Sequence, residues 1–254
     1  MSPERLPLIA GNWKMHKTRT EARELARQIR RGLEPGRRVE VVLAPPYTAL
    51  AAVAREIRGS HIGLAAQDTF WERQGAFTGA ISPVMLKDGG CGYVIIGHSE
   101  RRQHFGETNQ TVNLKLKAAL AAALSPILCI GETLGEREAG QTLKVVGRQL
   151  QEGLADLPPA AAESLVIAYE PVWAIGTGLN ATPEQAQEVH AFIRRQLPDL
   201  LGPGGAHIRI LYGGSVTPDN AASLLAEPDL DGALVGGASL KGESFLQIIA
   251  AAAR

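Results

Sequence analysis

The feature that most constrains the fold of this chain is a series of short apolar segments, which recurs along its full length of 254 residues. Each segment has the length and character of a β-strand that is buried on both faces. The eight segments are LPLIAGN from Leu6, VEVVLAP from Val39, IGLAAQD from Ile62, YVIIGHS from Tyr93, PILCIGE from Pro126, LVIAYEP from Leu165, IRILYGG from Ile208 and GALVGGA from Gly232. Amphipathic stretches separate them, and two of these open with capping boxes, Thr18 with Glu21 and Thr182 with Gln185. This alternation predicts either a (β/α)8 barrel or an open doubly wound α/β sheet.

The residues at the ends of the segments favour the barrel. Nearly every segment ends in small or polar residues, namely Asn12, Gln67, Asp68, His98, Ser99, Gly131, Glu132, Glu170, Gly213, Gly214, Ser215, Gly236 and Gly237. In a barrel all of these ends meet on one face, where active sites lie, whereas an open sheet spreads them along a crevice. No linker, low-complexity tract or block of charge divides the chain. We therefore predict that residues 1–254 form a single (β/α)8 barrel domain.

Charge and cysteine content exclude several classes of function. The 26 basic and 26 acidic residues give a formal net charge of zero, so no broad surface for nucleic acid or acidic membrane is expected. The two cysteines, Cys91 and Cys129, form no CxxC pair, so neither a metal cluster nor a disulfide framework is predicted. No apolar run has the length of a signal peptide or a membrane span. A soluble cytoplasmic protein is expected.

Four polar side chains at segment ends are the candidate catalytic residues: Asn12, Lys14, His98 and Glu170. Taken singly, each is more simply explained as a solvated charge or a structural residue. Their common placement on one face of a barrel is what indicates an active site.

Glycine pairs follow the last two segments, in YGGS from Tyr212 and VGGASLKG from Val235. Glycine lets the backbone approach a ligand closely, and backbone N–H groups at a helix start bind anions. The loops after strands seven and eight are the usual phosphate site of this architecture. GTGLNA from Gly176 imitates a dinucleotide motif, but it does not follow a strand directly, so no nucleotide cofactor is predicted.

Seven longer motifs together resemble the triosephosphate isomerase family along the whole chain. They are GNWKM at 11–15, GAFTG at 75–79, IIGHSERR at 95–102, CIGE at 129–132, AYEPVWAIGTG at 168–178, YGGSV at 212–216 and LVGGASL at 234–240. The resemblance implies a TIM barrel that interconverts dihydroxyacetone phosphate and D-glyceraldehyde 3-phosphate through an enediolate, without a metal or organic cofactor.

The family's known roles, carried to matching positions, make Glu170 the base and His98 a neutral group that polarises the carbonyl. Lys14 would offset negative charge, and Asn12 would donate a hydrogen bond to the substrate. The local sequence supports a neutral His98, because SERR predicts a helix start with Ser99 as its cap, and the positive end of a helix disfavours imidazolium. The implied substrate-binding residues are Asn12, Lys14, Gly176, Ser215, Gly236 and Gly237. The implied supporting residues are Ser99, Glu100, Cys129, Trp173 and Tyr212.

Two loops complete the prediction. The apolar stretch after Glu170, from Trp173 to Gly176, is predicted to be a lid that excludes water from the enediolate. The loop Gly75–Gly79 is predicted to reach the active site of a second copy of this chain, which makes a homodimer. The family commonly has Glu where this chain has Ala80, so one ion pair between the subunits is in doubt.

Two alternatives stay open at this stage. A different barrel enzyme for phosphosugars would need a strand lysine, as in an aldolase, or His and Asp metal ligands, as in an epimerase. A barrel that only binds its ligand would keep the loops without the chemistry. The sixth strand offers Glu170 in place of the aldolase lysine, and the metal ligands of an epimerase are absent from the strand ends. The presence of all four candidate residues argues against a protein that only binds.

Overall fold

The computed structural model describes residues 5–34, 36, 38–174 and 181–253, and within them eight parallel strands close into a barrel in chain order. The strands are β1 Leu8–Asn12, β2 Glu40–Ala44, β3 Ile62–Ala66, β4 Tyr93–Ile96, β5 Ser125–Ile130, β6 Val166–Tyr169, β7 Arg209–Tyr212 and β8 Gly232–Val235. The α-helices are α1 Arg19–Gly32, α2 Leu50–Ile57, α3 Pro83–Asp88, α4 Ser99–Phe105, α5 Asn109–Ala121, α6 Leu134–Glu138, α7 Thr142–Gly153, α8 Pro183–Leu201, α9 Pro218–Leu225 and α10 Gly242–Ala252.

Closure of the sheet decides between the two predicted architectures. Leu8 of β1 pairs with Glu40 of β2 on one side and with Gly232 of β8 on the other. The first and last strands are therefore neighbours, and the sheet has no free edge. The predicted (β/α)8 barrel is confirmed, and the open doubly wound sheet is excluded.

The strands direct alternate side chains to two separate cores. Ala10 and Ala168 lie in a cluster that fills the inside of the barrel, whereas Ile9 belongs to the layer between the barrel and its helices. Because the side-chain period of a strand is two residues, Asn12 continues the inward row of Ala10 and Glu170 continues that of Ala168. The strand pattern thus delivers an amide and a carboxylate to the mouth of the barrel.

Capping chemistry sets where the helices between the strands begin. Thr18 with Glu21 and Thr182 with Gln185 form the predicted capping boxes of α1 and α8. Fixed helix starts hold the preceding loops at the carboxyl ends of the strands. No helix in the described part of the chain has the length and apolar character needed to cross a membrane.

Candidate active site

The four candidate residues meet in one cavity of about 350 Å³ at the carboxyl ends of the strands. Its walls include Asn12, Lys14, His98 and Glu170, together with backbone from the ends of β7 and β8. This juxtaposition was predicted from the segment ends alone. The cavity is large enough for a small metabolite, and both charged side chains and glycines line it.

Lys14 is held in a strained backbone conformation. Its φ of 50° lies in the left-handed region, which a residue with a Cβ rarely adopts. Two contacts hold it there: the Lys14 N–H donates to Oδ1 of Asn12 at 3.0 Å, and the side-chain amide of Gln67 donates to the Lys14 carbonyl at 2.9 Å. Nζ of Lys14 pairs with Oε1 of Glu100 at 2.7 Å. With this backbone conformation and this ion pair, the side chain of Lys14 lines the cavity.

His98 caps the helix that follows it. The Glu100 main-chain N–H donates to Nδ1 of His98 at 3.2 Å, so His98 is the N-cap of α4. The prediction that Ser99 is the cap is wrong. Ser99 is the first helical residue, and its N–H donates instead to Oε2 of Glu170 at 2.9 Å. An Nδ1 that accepts a hydrogen bond leaves the proton of the neutral ring on Nε2.

Nε2 of His98 lies 2.9 Å from Oε1 of Glu170, so the two groups titrate as a pair. Burial raises the pKa of Glu170, but His98, the Ser99 N–H and Lys14 together lower it further, to below its ordinary value. Burial lowers the pKa of His98, and the neighbouring Glu170 carboxylate raises it, with a net rise. Both shifts depend on the contact between the two side chains.

The glycines after β7 and β8 line the cavity beside the charged side chains, and a Cβ on Gly236 would lie 3.3 Å from Cε of Lys14. Gly213 faces the carboxylate-bearing strand so closely that a Cβ on it would lie 2.8 Å from Cγ of Glu170. Ser215, Gly236 and Gly237 border the same space, and a 3-10 helix covers Gly237–Leu240. Gly176, the remaining predicted phosphate contact, lies outside the described residues.

Glu132 is a buried residue of the site that sequence reasoning did not select. Its side chain is fully buried and accepts hydrogen bonds from Tyr169 Oη at 3.1 Å and from Trp173 Nε1 at 2.9 Å. The guanidinium of Arg137 lies 4.7 Å above the Trp173 ring. Glu132 stands at a segment end, in CIGE, and that position was the available signal.

The remaining predicted supporting residues are buried or paired around the cavity. Burial, followed by the charge of Glu170, raises the pKa of the Cys129 thiol well above its usual value, so this thiol stays protonated. Burial raises the pKa of Tyr212 to about 12. Glu100 is the partner of Lys14 described above. Over the described ranges, no group of three or more His, Cys, Asp or Glu is arranged to hold a metal ion.

Fold and site together define a (β/α)8-barrel enzyme with a buried carboxylate–imidazole pair, an ammonium group and a glycine-lined pocket. A family model described as triosephosphate isomerase matches residues 7–252. The chain is 60% identical over 245 residues to triosephosphate isomerase from Moorella thermoacetica, which covers 96% of this chain and 98% of that protein. The protein of the same name from Trichlorobacter lovleyi is 55% identical over 246 residues, with the same coverage.

A solved structure gives the same result. The crystal structure of triosephosphate isomerase from Bartonella henselae superposes with a TM-score of 0.89 at 43% identity, covering 97% of this chain and 98% of that one. The chain belongs to the triosephosphate isomerase family and is an intramolecular aldose–ketose isomerase.

Proposed function

We propose that this isomerase uses the carboxylate of Glu170 to move a proton between the adjacent carbons of its substrate as it interconverts dihydroxyacetone phosphate and D-glyceraldehyde 3-phosphate. The observation that carries the proposal is the position of Glu170. Its carboxylate is only 2% exposed, borders the cavity and lies 2.9 Å from Nε2 of His98. A buried carboxylate with a polarising partner has the properties of a general base.

The resting contacts of Glu170 supply a reason for its strength as a base. His98 and the Ser99 N–H stabilise the carboxylate in the position described above. When the carboxylate turns toward the substrate it leaves both donors, and burial then raises its pKa. The same movement removes the carboxylate charge of Glu170 from His98, so burial and Lys14 lower the imidazole pKa and only Glu100 among the charges named here still raises it. A neutral His98 then donates from Nε2 to the substrate oxygen.

Lys14 and Asn12 act on the charge that develops as the enediolate forms. The left-handed backbone of Lys14 fixes its ammonium group before the substrate arrives, so little reorganisation accompanies the reaction. Ser215, Gly236 and Gly237 offer main-chain N–H groups to the phosphate. In this arrangement the phosphate lies beside the loops that follow the carboxyl ends of β7 and β8, and the reacting carbons lie toward Glu170.

The segment that starts at Pro171 is proposed to be the lid over this site. Of that segment the structure describes residues as far as Ala174, and Trp173 is tied to Glu132 by the 2.9 Å hydrogen bond. An apolar cover would keep water from the enediolate, which otherwise eliminates phosphate.

Replacement of Glu170 by Gln tests the proposal. The amide keeps the size of the side chain but accepts no proton, so kcat falls by about 10²–10⁴-fold. Glu138→Gln, an exposed change of the same chemistry on α6, serves as the matched control and keeps full activity. An E170Q variant that works within a few-fold of the wild type would refute the role of Glu170.

We also propose a homodimer formed through the Gly75–Gly79 loop. Phe77 in this loop is 44% exposed, and other large apolar side chains are exposed as well: Met15 by 94%, Met85 by 55% and Phe105 by 67%. Met15 directly follows Lys14, so a partner that covers it also closes one side of the active site. Ala80 provides no carboxylate, so the ion pair that the family commonly forms between subunits at this position is not expected in this dimer.

A charge placed at this surface tests the dimer. Met15→Arg should shift sedimentation toward a monomer and lower activity, because a charge in an interface core is costly to desolvate. Leu143→Arg, at an exposed position on α7, is the control that leaves the assembly unchanged. A wild-type monomer that keeps full activity at every concentration would contradict the proposal.

Two broader proposals accompany these. Residues 1–254 are inferred to be one domain, because the pairing of β1 with β8 joins the two ends of the chain in a single sheet. One cooperative unfolding transition is the expected result. A cytoplasmic location is proposed from the absence of long apolar runs in the sequence, and fractionation of cells checks it.

A further inference from the structure

The main chain of Gly131 is the surface against which Glu170 rests. A Cβ on Gly131 would lie 1.7 Å from the carbonyl oxygen of Glu170, so the two backbones are in direct contact. The residues on either side of Gly131 bond to the same segment: the Glu170 N–H donates to the Ile130 carbonyl at 2.7 Å, and the Val172 N–H donates to the Glu132 carbonyl at 3.0 Å. The position of Gly131 therefore determines the position of the Glu170 main chain, from which the carboxylate side chain extends.

Gly131 is itself held by a side chain. The regular pairing of β5 with β6 ends at Ile130 and Tyr169, so Gly131 lies just beyond the strand ladder. The side-chain amide of Gln149 takes both of its main-chain groups: Oε1 accepts from the Gly131 N–H at 2.7 Å, and Nε2 donates to the Gly131 carbonyl at 3.1 Å. Gln149 comes from α7 and is buried, with 8% exposure. Helix α7, on the outside of the barrel, thus holds the Gly131 peptide through the hydrogen bonds of Gln149.

A cavity adjoins this contact. It has a volume of about 400 Å³, and its walls include Gln149, Gly131, Glu170 and Val172. Packing therefore does not fill the space beside the Gly131 peptide, and hydrogen bonds must hold the peptide in place. A side chain of the same size that lacks the amide would leave the N–H and the carbonyl of half-buried Gly131 without these partners.

We propose that Gln149 is a positioning residue for the isomerisation. By holding the Gly131 peptide, it keeps in place both Glu170 and Glu132, which accepts the hydrogen bond from Trp173. The inference rests on the proposed role of Glu170. Displacement of a reacting group by about 1 Å can cost on the order of 10²-fold in rate. The phosphate contacts of Ser215, Gly236 and Gly237 follow β7 and β8, on other strands, so the part of substrate affinity that these residues supply is independent of this contact. The expected signature is a loss of kcat with little change in KM.

The first experiment replaces Gln149 with Leu and measures steady-state kinetics in both directions. We expect kcat to fall by about 10- to 100-fold, with KM within about threefold of the wild type. Gln151→Leu makes the same change on the exposed side of the same helix and should leave both constants unchanged. A Q149L enzyme with wild-type kcat would overturn the inference.

A double-mutant cycle separates positioning of Glu170 from general damage. In the E170Q background there is no base left to position, so adding Gln149→Leu should lower kcat by less than about threefold. A full additional loss in that background would show that Gln149 acts on stability rather than through Glu170. If E170Q alone kept wild-type activity, the role of Glu170 would fall and the inference with it. An inactive E170Q beside a normal Q149L would overturn the inference alone.

Gln149→Glu provides a readout that a merely structural role would not move. A protonated carboxyl group can accept from the Gly131 N–H and donate to its carbonyl, whereas a carboxylate cannot donate. Burial raises the pKa of such a carboxyl group. The ratio of Q149E to wild-type kcat should therefore be highest near pH 5 and fall at least tenfold by pH 8. The ratio for Gln151→Glu should stay constant. A flat ratio for Q149E would overturn the inference, even if the Leu variant failed to fold.

Discussion

His190 is a buried histidine whose neutrality couples the stability of the barrel to pH. It lies on α8 with no exposed surface, and its ring packs edge-on to Tyr169 and beside Tyr212, with centroids 5.8 Å and 6.3 Å away. Nδ1 lies 3.2 Å from the carbonyl oxygen of Asp229, and Nε2 has no hydrogen-bond partner in the described part of the chain. A protonated Nε2–H would therefore be buried without an acceptor.

Burial lowers the pKa of His190 from its ordinary 6.5 to about 3, the Asp229 carbonyl opposes the shift, and the nearby Arg194 adds to it. The unfolded chain takes up a proton below pH 6.5, and the folded chain does so only near pH 3. Stability is therefore full above pH 6.5 and is lost as the pH falls toward 3. At about 1.4 kcal/mol per pKa unit, the whole effect is on the order of 5 kcal/mol, and the part between pH 7 and pH 5 is about 2 kcal/mol.

The assay is urea unfolding of the wild type and of His190→Asn at both pH values, with the protein concentration fixed because association affects stability. The asparagine amide retains a donor near the Asp229 carbonyl but does not titrate in this range. The wild type should lose about 2 kcal/mol relative to the variant on going from pH 7 to pH 5. The control His61→Asn, at an exposed position, should lose the same free energy of unfolding as the wild type between pH 7 and pH 5. An equal difference between wild type and His190→Asn at both pH values would refute the reasoning.

Two further predictions concern contacts in the active site. Gly213→Ala places a Cβ 2.8 Å from Cγ of Glu170, so kcat should fall by about 10²-fold, whereas Gly135→Ala, with open space around its Cβ, should keep full activity in the same kinetic assay. Glu132→Gln leaves one acceptor oxygen for donors on Tyr169 and Trp173, so the free energy of unfolding should fall by about 1–3 kcal/mol in urea titrations; an unchanged midpoint and slope would mean that both donors had found new partners.

The sequence by itself determined the strand and helix elements, favoured the barrel, and indicated the principal residues of the site. Eight buried strands and their capped helices are local features, because strand burial, helix caps and turns depend on neighbouring residues. The number and rhythm of the strands then restrict the fold to very few choices. Asn12, Lys14, His98 and Glu170 could be selected because each stands just after a strand, and all strands of a barrel end on the same face. The family motifs assigned their expected roles.

Only the tertiary structure decided how these residues are held. Three hydrogen-bonded contacts join residues far apart in the chain: Gln67 with Lys14, Trp173 with Glu132, and Gln149 with Gly131. A local sequence pattern cannot predict such pairs, because a buried amide or carboxylate residue is not distinguishable in the sequence from an exposed one. The cap at α4 shows the same limit. Serine is a common cap, but the helix already includes Ser99, whose N–H donates to Glu170, 71 positions away, and Nδ1 of His98 accepts the capping bond.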